Sequence, residues 1–482
     1  MEQAGNKADS AIFTYFEAIS AIPRGSGNME AISAYVLEEG LRLGHQAFRD
    51  ADRNVVILVP ATAGYENAPA VMLQGHMDMV AEKTADSAHD FMKDPLELFE
   101  EDGWIGARGT TLGADDGVAV AYMLALAADR EHPHPALELV FTTDEETGLI
   151  GAGKMDFSFS RAKYLINLDS DVEGEFLTSC AGGVRTDITI PVERNPVSGH
   201  SYRITVSSTI GGHSGSEIHK DRPNTNVVTG QLLLDLKAQC PDMGLVSFSG
   251  GLMDNAIPAR TEAVVVLDEE PDWDAEAALF AAEYETTDAV LTVERQPLGK
   301  AETWNAVSGA SLDRLLFFLQ QAPNGVQAYN HRIEGLVETS LNLGIMKLSG
   351  MRAEITFSIR SSVESRKDRL AKRLADLAKS VGGHASCRGD YPGWAYRVDS
   401  ALRDLMVRTW DRLYGDTVCR AHAAAIHAGL ECGLILGKCP GLDIVSMGPR
   451  TLDIHTPAER LDKASFRRCY VFVLEVLKEM AG

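Results

Sequence analysis

Three short apolar runs in the first part of the chain each end in polar residues of the kind that bind metals. The runs and the residues after them are 71–74 with His76, 137–143 with Glu145 and Glu146, and 164–168 with Asp169. Runs of this length, separated by helical or irregular segments, predict strands of a mostly parallel sheet in an α/β fold. Because such sheets bind ligands at the carboxyl ends of their strands, we expect these polar residues to meet at one edge.

The first of these strand ends carries a histidine and an aspartate two residues apart. His76 and Asp78 lie in the segment Gly-His-Met-Asp-Met-Val, and strand side chains alternate, so both point to the same side. His76 could then bind a metal while Asp78 accepts a hydrogen bond from the other ring nitrogen. Taken alone, the pair is better explained by a histidine that is hydrogen-bonded for structural reasons.

A second acidic pair precedes a predicted helix. Residues 113–117 read Gly-Ala-Asp-Asp-Gly, and the small residues of 118–128 predict a helix packed closely on a sheet. Asp115 or Asp116 stands where a helix N-cap belongs, so capping alone would explain the pair. Gathered at one sheet edge, however, the acidic residues would repel one another unless a cation held them. The candidate ligands and bases are His76, Asp78, Asp115, Glu145, Glu146, Asp169 and, after a predicted strand at 442–447, His455.

The residue types in this set indicate which metal they would bind. Two imidazoles with several carboxylates suit Zn²⁺, Co²⁺ or Mn²⁺ better than Ca²⁺ or Mg²⁺, which prefer oxygen ligands throughout. Two such ions lie about 3.5–4 Å apart and share a bridging carboxylate. Since consecutive residues point apart, Glu145 and Glu146 are expected to differ, one binding metal and the other acting as a base.

The chain after about residue 184 has a different pattern. Strand and helix patterns interleave there without carboxylates at strand ends, which predicts a second, α+β domain over residues 185–396. Residues 397–482 resemble the first part again, with predicted helices at 402–414 and 422–436. We therefore expect a catalytic domain formed by 1–184 and 397–482, interrupted by an inserted lid domain.

Charge and cysteine content restrict the partners and the compartment. The 482 residues carry a formal net charge of -24, which argues against nucleic acid or an anionic membrane as partner. The 7 cysteines are dispersed without a C-x-x-C motif, as expected of reduced thiols. The first residues lack a leader-like pattern, and no apolar stretch has the length of a membrane span, so we expect a cytoplasmic protein.

Taken together, the motifs resemble those of the di-zinc aminopeptidase-like family that includes carboxypeptidase G, aminoacylase and bacterial dipeptidases. The most similar branch is that of the aminoacyl-histidine dipeptidases (Xaa-His dipeptidases, peptidase D). The motifs that carry the resemblance are GHMDMV at 75–80, HDF at 89–91, RGTTLGAD at 108–115, EETG at 145–148, CAGG at 180–183, GGHSG at 211–215, NAIP at 255–258 and HAGLECG at 427–433. In this order and spacing, the motifs cover nearly the whole chain.

The resemblance implies a role for each candidate in the catalytic domain. Asp115 would bridge two ions, one completed by His76 and Asp169 and the other by Glu146 and His455. Glu145 would be the general base, and Asp78 would orient His76. The family often has a cis peptide after the bridging aspartate, here Asp115-Asp116, although it typically has Asp-Asn at this step.

For the inserted domain, the resemblance implies substrate contacts and a homodimer. His213 would stabilise the oxyanion, from its own subunit or a partner's, where a loop histidine that caps its own backbone is the alternative. Arg360 would grip a substrate carboxylate, although a solvated arginine at a strand end is equally compatible. Asn255 and Gly429 are further candidates for substrate binding.

The activity implied is metal-dependent hydrolysis of dipeptides, with a C-terminal histidine or of broad specificity. In the family, a hydroxide bridging two Zn²⁺ ions attacks the scissile carbonyl, and here Glu145 would transfer the proton. One alternative is an amidohydrolase acting on N-acyl amino acids with the same site. A non-catalytic metal-binding scaffold is a further alternative, which the presence of every ligand and of Glu145 disfavours.

Overall fold

The apolar runs form strands that belong to two large sheets in a computed structural model. The structure describes residues 2–480, and only the backbone of residues 2–9 and 300–302. The helices are α1 (Glu2–Ser20), α2 (Glu30–Arg42), α3 (Ala114–Ala128), α4 (Ile150–Lys154), α5 (Thr225–Gln239), α6 (Trp273–Glu283), α7 (Gly309–Gln321), α8 (Glu364–Ser380), α9 (Ala401–Tyr414), α10 (Glu431–Lys438) and α11 (Lys463–Glu479).

The strands run from residue 46 to residue 462. They are β1 (Gln46–Arg49), β2 (Val55–Val59), β3 (Val71–His76), β4 (Leu98–Glu101), β5 (Trp104–Ala107), β6 (Leu137–Thr142), β7 (Tyr164–Asn167), β8 (Glu175–Cys180), β9 (Gly182–Pro191), β10 (Arg194–Ser208), β11 (Gly244–Gly250), β12 (Arg260–Leu267), β13 (Leu291–Val307), β14 (Gly325–Tyr329), β15 (Val337–Ser349), β16 (Arg352–Ser361), β17 (His384–Tyr391), β18 (His422–Ile426), β19 (Asp443–Ser446), β20 (Thr451–Leu452) and β21 (Arg460–Asp462).

The chain divides into two compact units. Unit 1 contains the chain up to Cys180, residues Trp394–Ala425 and the chain from Leu430 onward, whereas unit 2 contains Ala181–Gly393 and Ile426–Gly429. The chain thus leaves unit 1 after Cys180, returns at Trp394 and enters unit 2 again for four residues. The predicted lid and dimerisation roles of residues 185–396 stay predictions.

Unit 1 is built on an 8-stranded sheet of order β1-β2-β6-β3-β7-β19-β8-β18. Its centre is parallel, since β3 pairs in parallel with β6 and β7, and β7 pairs in parallel with β19. The flanking pairs β1–β2 and β2–β6 are antiparallel, as is the single pairing of β19 with β8. The α/β prediction is confirmed, with parallel pairing at the centre of the sheet, where the predicted clusters begin.

The alanine-rich helix α3 covers this sheet with small side chains. Nearly all of its residues are buried, including Val118, Tyr122 and Leu126. Helices α1 and α11 contribute the apolar side chains Phe16 and Phe466 to the same core. Residue 75 must be glycine, because a Cβ there would lie 2.2 Å from the Cβ of Ala119.

Two parts of unit 1 differ from the predictions. The polar sequence between residues 80 and 112 predicts an irregular segment, but the structure has the hairpin β4–β5 there, which joins β21 and β20 in a 4-stranded sheet. The predicted helix at 422–436 is wrong, because residues His422–Ile426 form strand β18 and helix α10 starts only at Glu431. Alanine favours helices intrinsically, but sheet pairing at β8 outweighs that small preference.

Unit 2 is built on a 9-stranded sheet whose described pairings are antiparallel. Strands β15 and β16 are antiparallel neighbours, and β9 lies between β16 and β17. Helices α5, α7 and α8 bury apolar residues such as Leu232, Leu315 and Leu374 in one core with the sheet. Among the described residues of the whole chain, no helix combines the length and the apolar character that crossing a bilayer requires.

Candidate metal centre

The predicted polar cluster of unit 1 forms where the parallel strands end. His76 is the last residue of β3 and pairs with Thr142, the last residue of β6. Glu145 and Glu146 lie in the turn after β6, and Asp169 follows β7 by two residues. His455 comes from the loop between β20 and β21, where its φ is 62°. The structure therefore brings together side chains that are up to several hundred residues apart in sequence.

Asp115 lies at the centre of the cluster. Its Oδ1 is 3.0 Å from Nε2 of His76, and its Oδ2 is 3.0 Å from Nε2 of His455. The two carboxylate oxygens thus face two different imidazoles. This is the arrangement expected of a carboxylate that bridges two cations, each also bound by one histidine.

The remaining carboxylates surround these two imidazoles. Oδ1 of Asp169 and Oε2 of Glu145 are each 3.9 Å from Nε2 of His76. Oε1 of Glu146 is 3.1 Å from Nε2 of His455, yet it accepts no hydrogen bond of good geometry. Three sets of residues each place their candidate ligand atoms within 4.8 Å of one another. The sets are His76 with Asp116 and Asp169, His76 with Glu145 and Glu146, and Asp115 with Glu146 and His455.

Asp78 contacts His76 and also the turn that carries the two glutamates. Nδ1 of His76 is 3.1 Å from the carbonyl oxygen of Asp78 and 3.4 Å from its carboxylate. The carboxylate accepts hydrogen bonds from the backbone N–H of Glu145 at 3.0 Å and of Glu146 at 3.3 Å, and from the Ser26 hydroxyl at 2.8 Å. A single buried carboxylate therefore links the loop after β3 to the turn after β6.

The two aspartates at the start of α3 have different roles in the structure. Asp115 faces the histidines, while Asp116 caps the helix, because its Oδ1 accepts the N–H of Ala119 at 3.2 Å. Oδ2 of Asp116 accepts the N–H of His76 at 3.2 Å. Capping thus applies to Asp116, and the Asp115-Asp116 peptide bond is cis, as the resemblance implied.

The protein side chains alone leave this cluster electrostatically strained. Burial would raise the pKa of Asp115, but hydrogen bonds from His455 and His76 outweigh burial and lower it. Burial raises the pKa of Glu145 and of Asp169 well above the usual range, and neighbouring carboxylates raise both further. The hydrogen bond to Asp115 and the nearby Glu146 carboxylate raise the pKa of His455 to about 10. Buried acids that resist ionisation in this way are stabilised as carboxylates by bound cations.

Two imidazoles and four carboxylates fit a pair of Zn²⁺, Co²⁺ or Mn²⁺ ions. The charge of the cluster is balanced in part by the histidines, and the unsatisfied Oε1 of Glu146 is available to a cation. No cysteine belongs to the candidate sets that the described residues form, so they differ from the cysteine-rich sets of structural zinc sites.

Sequence reasoning missed a clamp on the loop that carries Asp115. The Glu459 carboxylate accepts the backbone N–H groups of residues 112–115, at 2.8, 2.8, 2.9 and 3.3 Å. The buried Arg24 donates to the carbonyl oxygens of Met77 and Asp78 and to that of Gly113. Glu459 ends the motif that begins at His455, but the N–H groups that donate to it lie some 340 residues earlier in the chain.

A second buried acid was also missed. Glu431 is fully buried, and its Oε2 accepts hydrogen bonds from Gln74 at 2.5 Å and Thr142 at 2.6 Å. Gln74 in turn accepts a hydrogen bond from Asn167 at 2.8 Å. Burial raises the pKa of Glu431 to about 7, with His76 opposing that rise. The motif at 427–433 contains Glu431, but nothing in its sequence indicates these partners.

Two of the predicted residues of unit 2, His213 and Arg360, lie close together. Backbone N–H groups of Gly215 and Ser216 donate to Nδ1 of His213, so the neutral ring carries its hydrogen on Nε2. Burial and the nearby Arg360 lower the pKa of His213 to about 4. Asn255 accepts the N–H of Ser214 through its carbonyl oxygen at 2.9 Å. His213 therefore caps its own loop, and within the part of the chain that the structure describes its Nε2–H makes no hydrogen bond.

A further histidine of unit 2 was not predicted individually. Nε2 of His427 is 2.7 Å from the Ser340 hydroxyl, while its buried Nδ1 has no hydrogen-bond partner among the residues that the structure describes. Burial, Arg360 and His213 lower the pKa of His427 to about 3. His427 and His213 are therefore neutral at pH 7.

The sequence is similar to a known protein family and to a characterised relative over nearly its whole length. The model of the peptidase family M20/M25/M40 matches residues 72–479. The cytosol non-specific dipeptidase of Escherichia coli K12 is 34% identical over 487 residues, covering 100% of this chain and 99% of the relative.

Solved structures show the same fold. The aminoacylhistidine dipeptidase of Vibrio alginolyticus superposes with a TM-score of 0.89 at 32% identity, covering 97% of this chain and 96% of that chain. The aminopeptidase PepT of Bacillus cereus has a TM-score of 0.58 at 16% identity, covering 98% of this chain and 99% of that chain. At this low identity, the similarity to PepT shows only that the two proteins share a fold.

Proposed function

The chain belongs to the peptidase family M20/M25/M40, and from this premise we propose that it hydrolyses dipeptides with two bound divalent cations. As a member of this metallopeptidase family, it is a hydrolase. The observation that carries the proposal is the position of Asp115, whose two carboxylate oxygens each lie 3.0 Å from a different histidine. That arrangement supports a dinuclear centre better than a single metal site.

In this proposal, the cluster of unit 1 would supply all the metal ligands. Asp115 would be a ligand of both ions, His76 and Asp169 would complete the ligands of one, and Glu146 and His455 would complete those of the other. Zinc is the proposed metal, with Co²⁺ and Mn²⁺ as alternatives that accept the same ligands. When bound, such ions polarise a carbonyl group and lower the pKa of water.

Glu145 is the proposed general base. Its carboxylate is close to His76 but belongs to a turn that Asp78 holds in place through two backbone N–H groups. Burial and acidic neighbours raise its pKa, which suits a group that accepts a proton from water and returns it to the leaving amine.

Unit 2 supplies the proposed substrate contacts. The free Nε2–H of neutral His213 suits hydrogen bonding to the oxyanion of the tetrahedral intermediate. Arg360 is proposed to bind the substrate's terminal carboxylate, a ligand that fits the planar guanidinium. Asn255 and Gly429 stay further candidates for substrate binding.

The proposed substrates are dipeptides of varied sequence, including those with C-terminal histidine. Support comes from two relatives, one named a non-specific dipeptidase and the other an aminoacylhistidine dipeptidase. Unlike a free dipeptide, an N-acyl amino acid has no free amino group, so the two substrate classes are chemically distinguishable.

Turnover after removal and readdition of metal tests this proposal. The protein is chelated, supplied with Zn²⁺, Co²⁺ or Mn²⁺, and assayed on Xaa-His dipeptides, other dipeptides and N-acetyl or N-succinyl amino acids. We expect chelation to abolish dipeptide hydrolysis and readdition to restore it. Hydrolysis of N-acyl amino acids alone would instead assign an amidohydrolase.

We also propose that the protein is a cytoplasmic homodimer. The Escherichia coli relative is named a cytosol enzyme, and the loop after β11 exposes Leu252 and Met253, with 95% and 61% of their surfaces accessible. Light scattering combined with size-exclusion chromatography measures the subunit number. A monomer at micromolar concentration would contradict the dimer and leave the proposed activity unaffected.

A further inference from the structure

The guanidinium of Arg360 is buried in unit 2, and no carboxylate of the described residues is paired with it. Only 6% of the residue is exposed, and its Nε has no hydrogen-bond acceptor. Among the described residues, the side chain makes one hydrogen bond, from Nη1 to the Tyr391 hydroxyl at 3.3 Å. A buried cation is costly unless it is paired, so this arginine is poised for an anion from outside the chain.

The phenol of Tyr391 reaches Arg360 from two strands away. Gly183 in the intervening strand β9 pairs with Arg360 of β16 on one side and with Tyr391 of β17 on the other. Adjacent strands are about 4.8 Å apart, so the two backbones are roughly 10 Å apart. The ring must therefore lie over Gly183 to place its hydroxyl at the guanidinium.

Residue 183 allows this path only because it is glycine. A Cβ at Gly183 would lie 2.6 Å from the Tyr391 hydroxyl oxygen and 2.7 Å from Cζ, closer than real Cβ contacts. Gly429 borders the same ring, since a Cβ there would lie 2.9 Å from Cε2 of Tyr391. The CAGG and HAGLECG motifs thus each contribute a glycine to one slot that the phenol occupies.

The backbone of Tyr391 is held as firmly as its ring. The fully buried Lys367 of α8 donates to the carbonyl oxygen of Tyr391 at 2.9 Å and to the carboxylate of Asp390 at 2.5 Å. Both ends of the tyrosine are therefore fixed within unit 2. A hydroxyl held in this way can define the orientation of the arginine that it contacts.

We propose that Tyr391 is the positioning residue for Arg360. Its hydroxyl, placed by the slot between Gly183 and Gly429, orients the guanidinium so that its remaining N–H groups are free for a substrate carboxylate. This inference rests on the proposed dipeptidase function and concerns peptides with a free C-terminal carboxylate. Tyr391 itself touches the arginine and has no part in bond cleavage.

Tyr391→Phe tests the role because it retains the ring and its packing. We expect KM for a dipeptide to rise about 10-fold, the effect of losing one hydrogen bond to a charged group, with kcat nearly unchanged. Tyr202→Phe is the matched control, since it removes from unit 2 a tyrosine hydroxyl that is hydrogen-bonded to Glu270. An unchanged KM in Tyr391→Phe, or an equal rise in KM in Tyr391→Phe and Tyr202→Phe, would overturn the positioning role of Tyr391.

A double-mutant cycle shows whether Tyr391 acts through Arg360. In an Arg360→Lys background, Tyr391→Phe should change kcat/KM by less than about twofold, because the guanidinium that Tyr391 positions is absent. An additional loss of about 10-fold in that background would show an independent effect and overturn the inference.

Gly183→Ala tests the slot itself. We expect KM to rise at least as much as in Tyr391→Phe, because the new methyl group displaces the phenol. In a Tyr391→Ala background the same substitution should have little effect on KM, which separates displacement of the ring from damage to the sheet. Equal effects in both backgrounds would overturn the slot. Unaltered protein that cleaves no dipeptide would instead contradict the proposed function itself.

Discussion

The polar clusters of units 1 and 2 have opposite charge and are built in different ways. In unit 1, carboxylates gather at the ends of parallel strands around Asp115, and burial raises the pKa of Glu145 and Asp169. In unit 2, Arg360 projects from an antiparallel sheet beside His213 and His427, and the pKa values of both histidines are lowered.

The contrast indicates what each cluster can bind. Excess buried negative charge is relieved by a cation, whereas a buried arginine beside neutral histidines is relieved by an anion. Parallel strands favour the first cluster because their carboxyl ends share one edge, so loops after several strands converge. Antiparallel neighbours favour the second, because side chains on adjacent strands contact each other directly. The predictions below test this contrast.

Glu145→Gln should have the largest effect on turnover. Loss of a general base lowers kcat by about 10²- to 10⁴-fold, while the metal content stays unchanged because the ligands remain. Glu146→Gln is the matched comparison and should lower metal content. Steady-state kinetics and elemental analysis measure both quantities. Normal turnover by Glu145→Gln on all dipeptides would remove its assignment as base.

Metal removal should destabilise unit 1 strongly. A ligand present at 1,000 times its Kd stabilises the folded state by about 4 kcal/mol, so chelation should lower Tm in calorimetry. Asp169→Asn sharpens the test, because it removes one of the crowded carboxylates. We expect it to raise the Tm of the chelated protein and to lower that of the zinc-loaded protein. A Tm insensitive to chelation would contradict a bound cation.

Glu459→Gln should weaken metal binding without altering any ligand. Both oxygens of the carboxylate accept hydrogen bonds from the four backbone N–H groups, whereas the amide would have only one acceptor oxygen. We expect metal affinity to fall about 10- to 100-fold, as for other groups that orient ligands. Competition with a chromophoric chelator measures this. Glu173→Gln, which changes a buried glutamate paired with Arg468, is the control and should bind metal normally.

His427 should make unit 2 less stable as pH falls. Its folded pKa of about 3 lies below the usual value near 6.5, so the unfolded chain binds more protons between these limits. Stability is therefore complete above about pH 6.5 and decreases toward pH 3, by about 2 kcal/mol between pH 6.5 and 5.

His427→Gln should remove this part of the pH dependence in urea unfolding at pH 6.5 and 5. Glutamine retains a hydrogen-bonding group toward Ser340 without titrating in this range. His384→Gln changes an exposed histidine of the same unit and controls for loss of a histidine as such. An identical pH dependence in the unaltered protein and His427→Gln would show that His427 is not held neutral.

Much of the fold could be predicted from local pattern. The strands before His76 and Asp169 and the helix after Asp116 agree with the structure because their apolar patterns are strong. The pattern failed at 422–436, where alanines favour a helix but sheet pairing decides. It also missed the hairpin before residue 112, whose strands are short and partly exposed.

The sequence by itself determined which chemical groups the site contains, because residue type and strand-end position follow from local pattern. Only the tertiary structure decided which distant segments contact those groups. It placed Asp116 as the cap of α3, brought Glu459 to the loop that carries Asp115, and laid Tyr391 over Gly183. The physical reason is that hydrogen bonds and steric contacts between distant segments depend on distance in space, which no local pattern encodes.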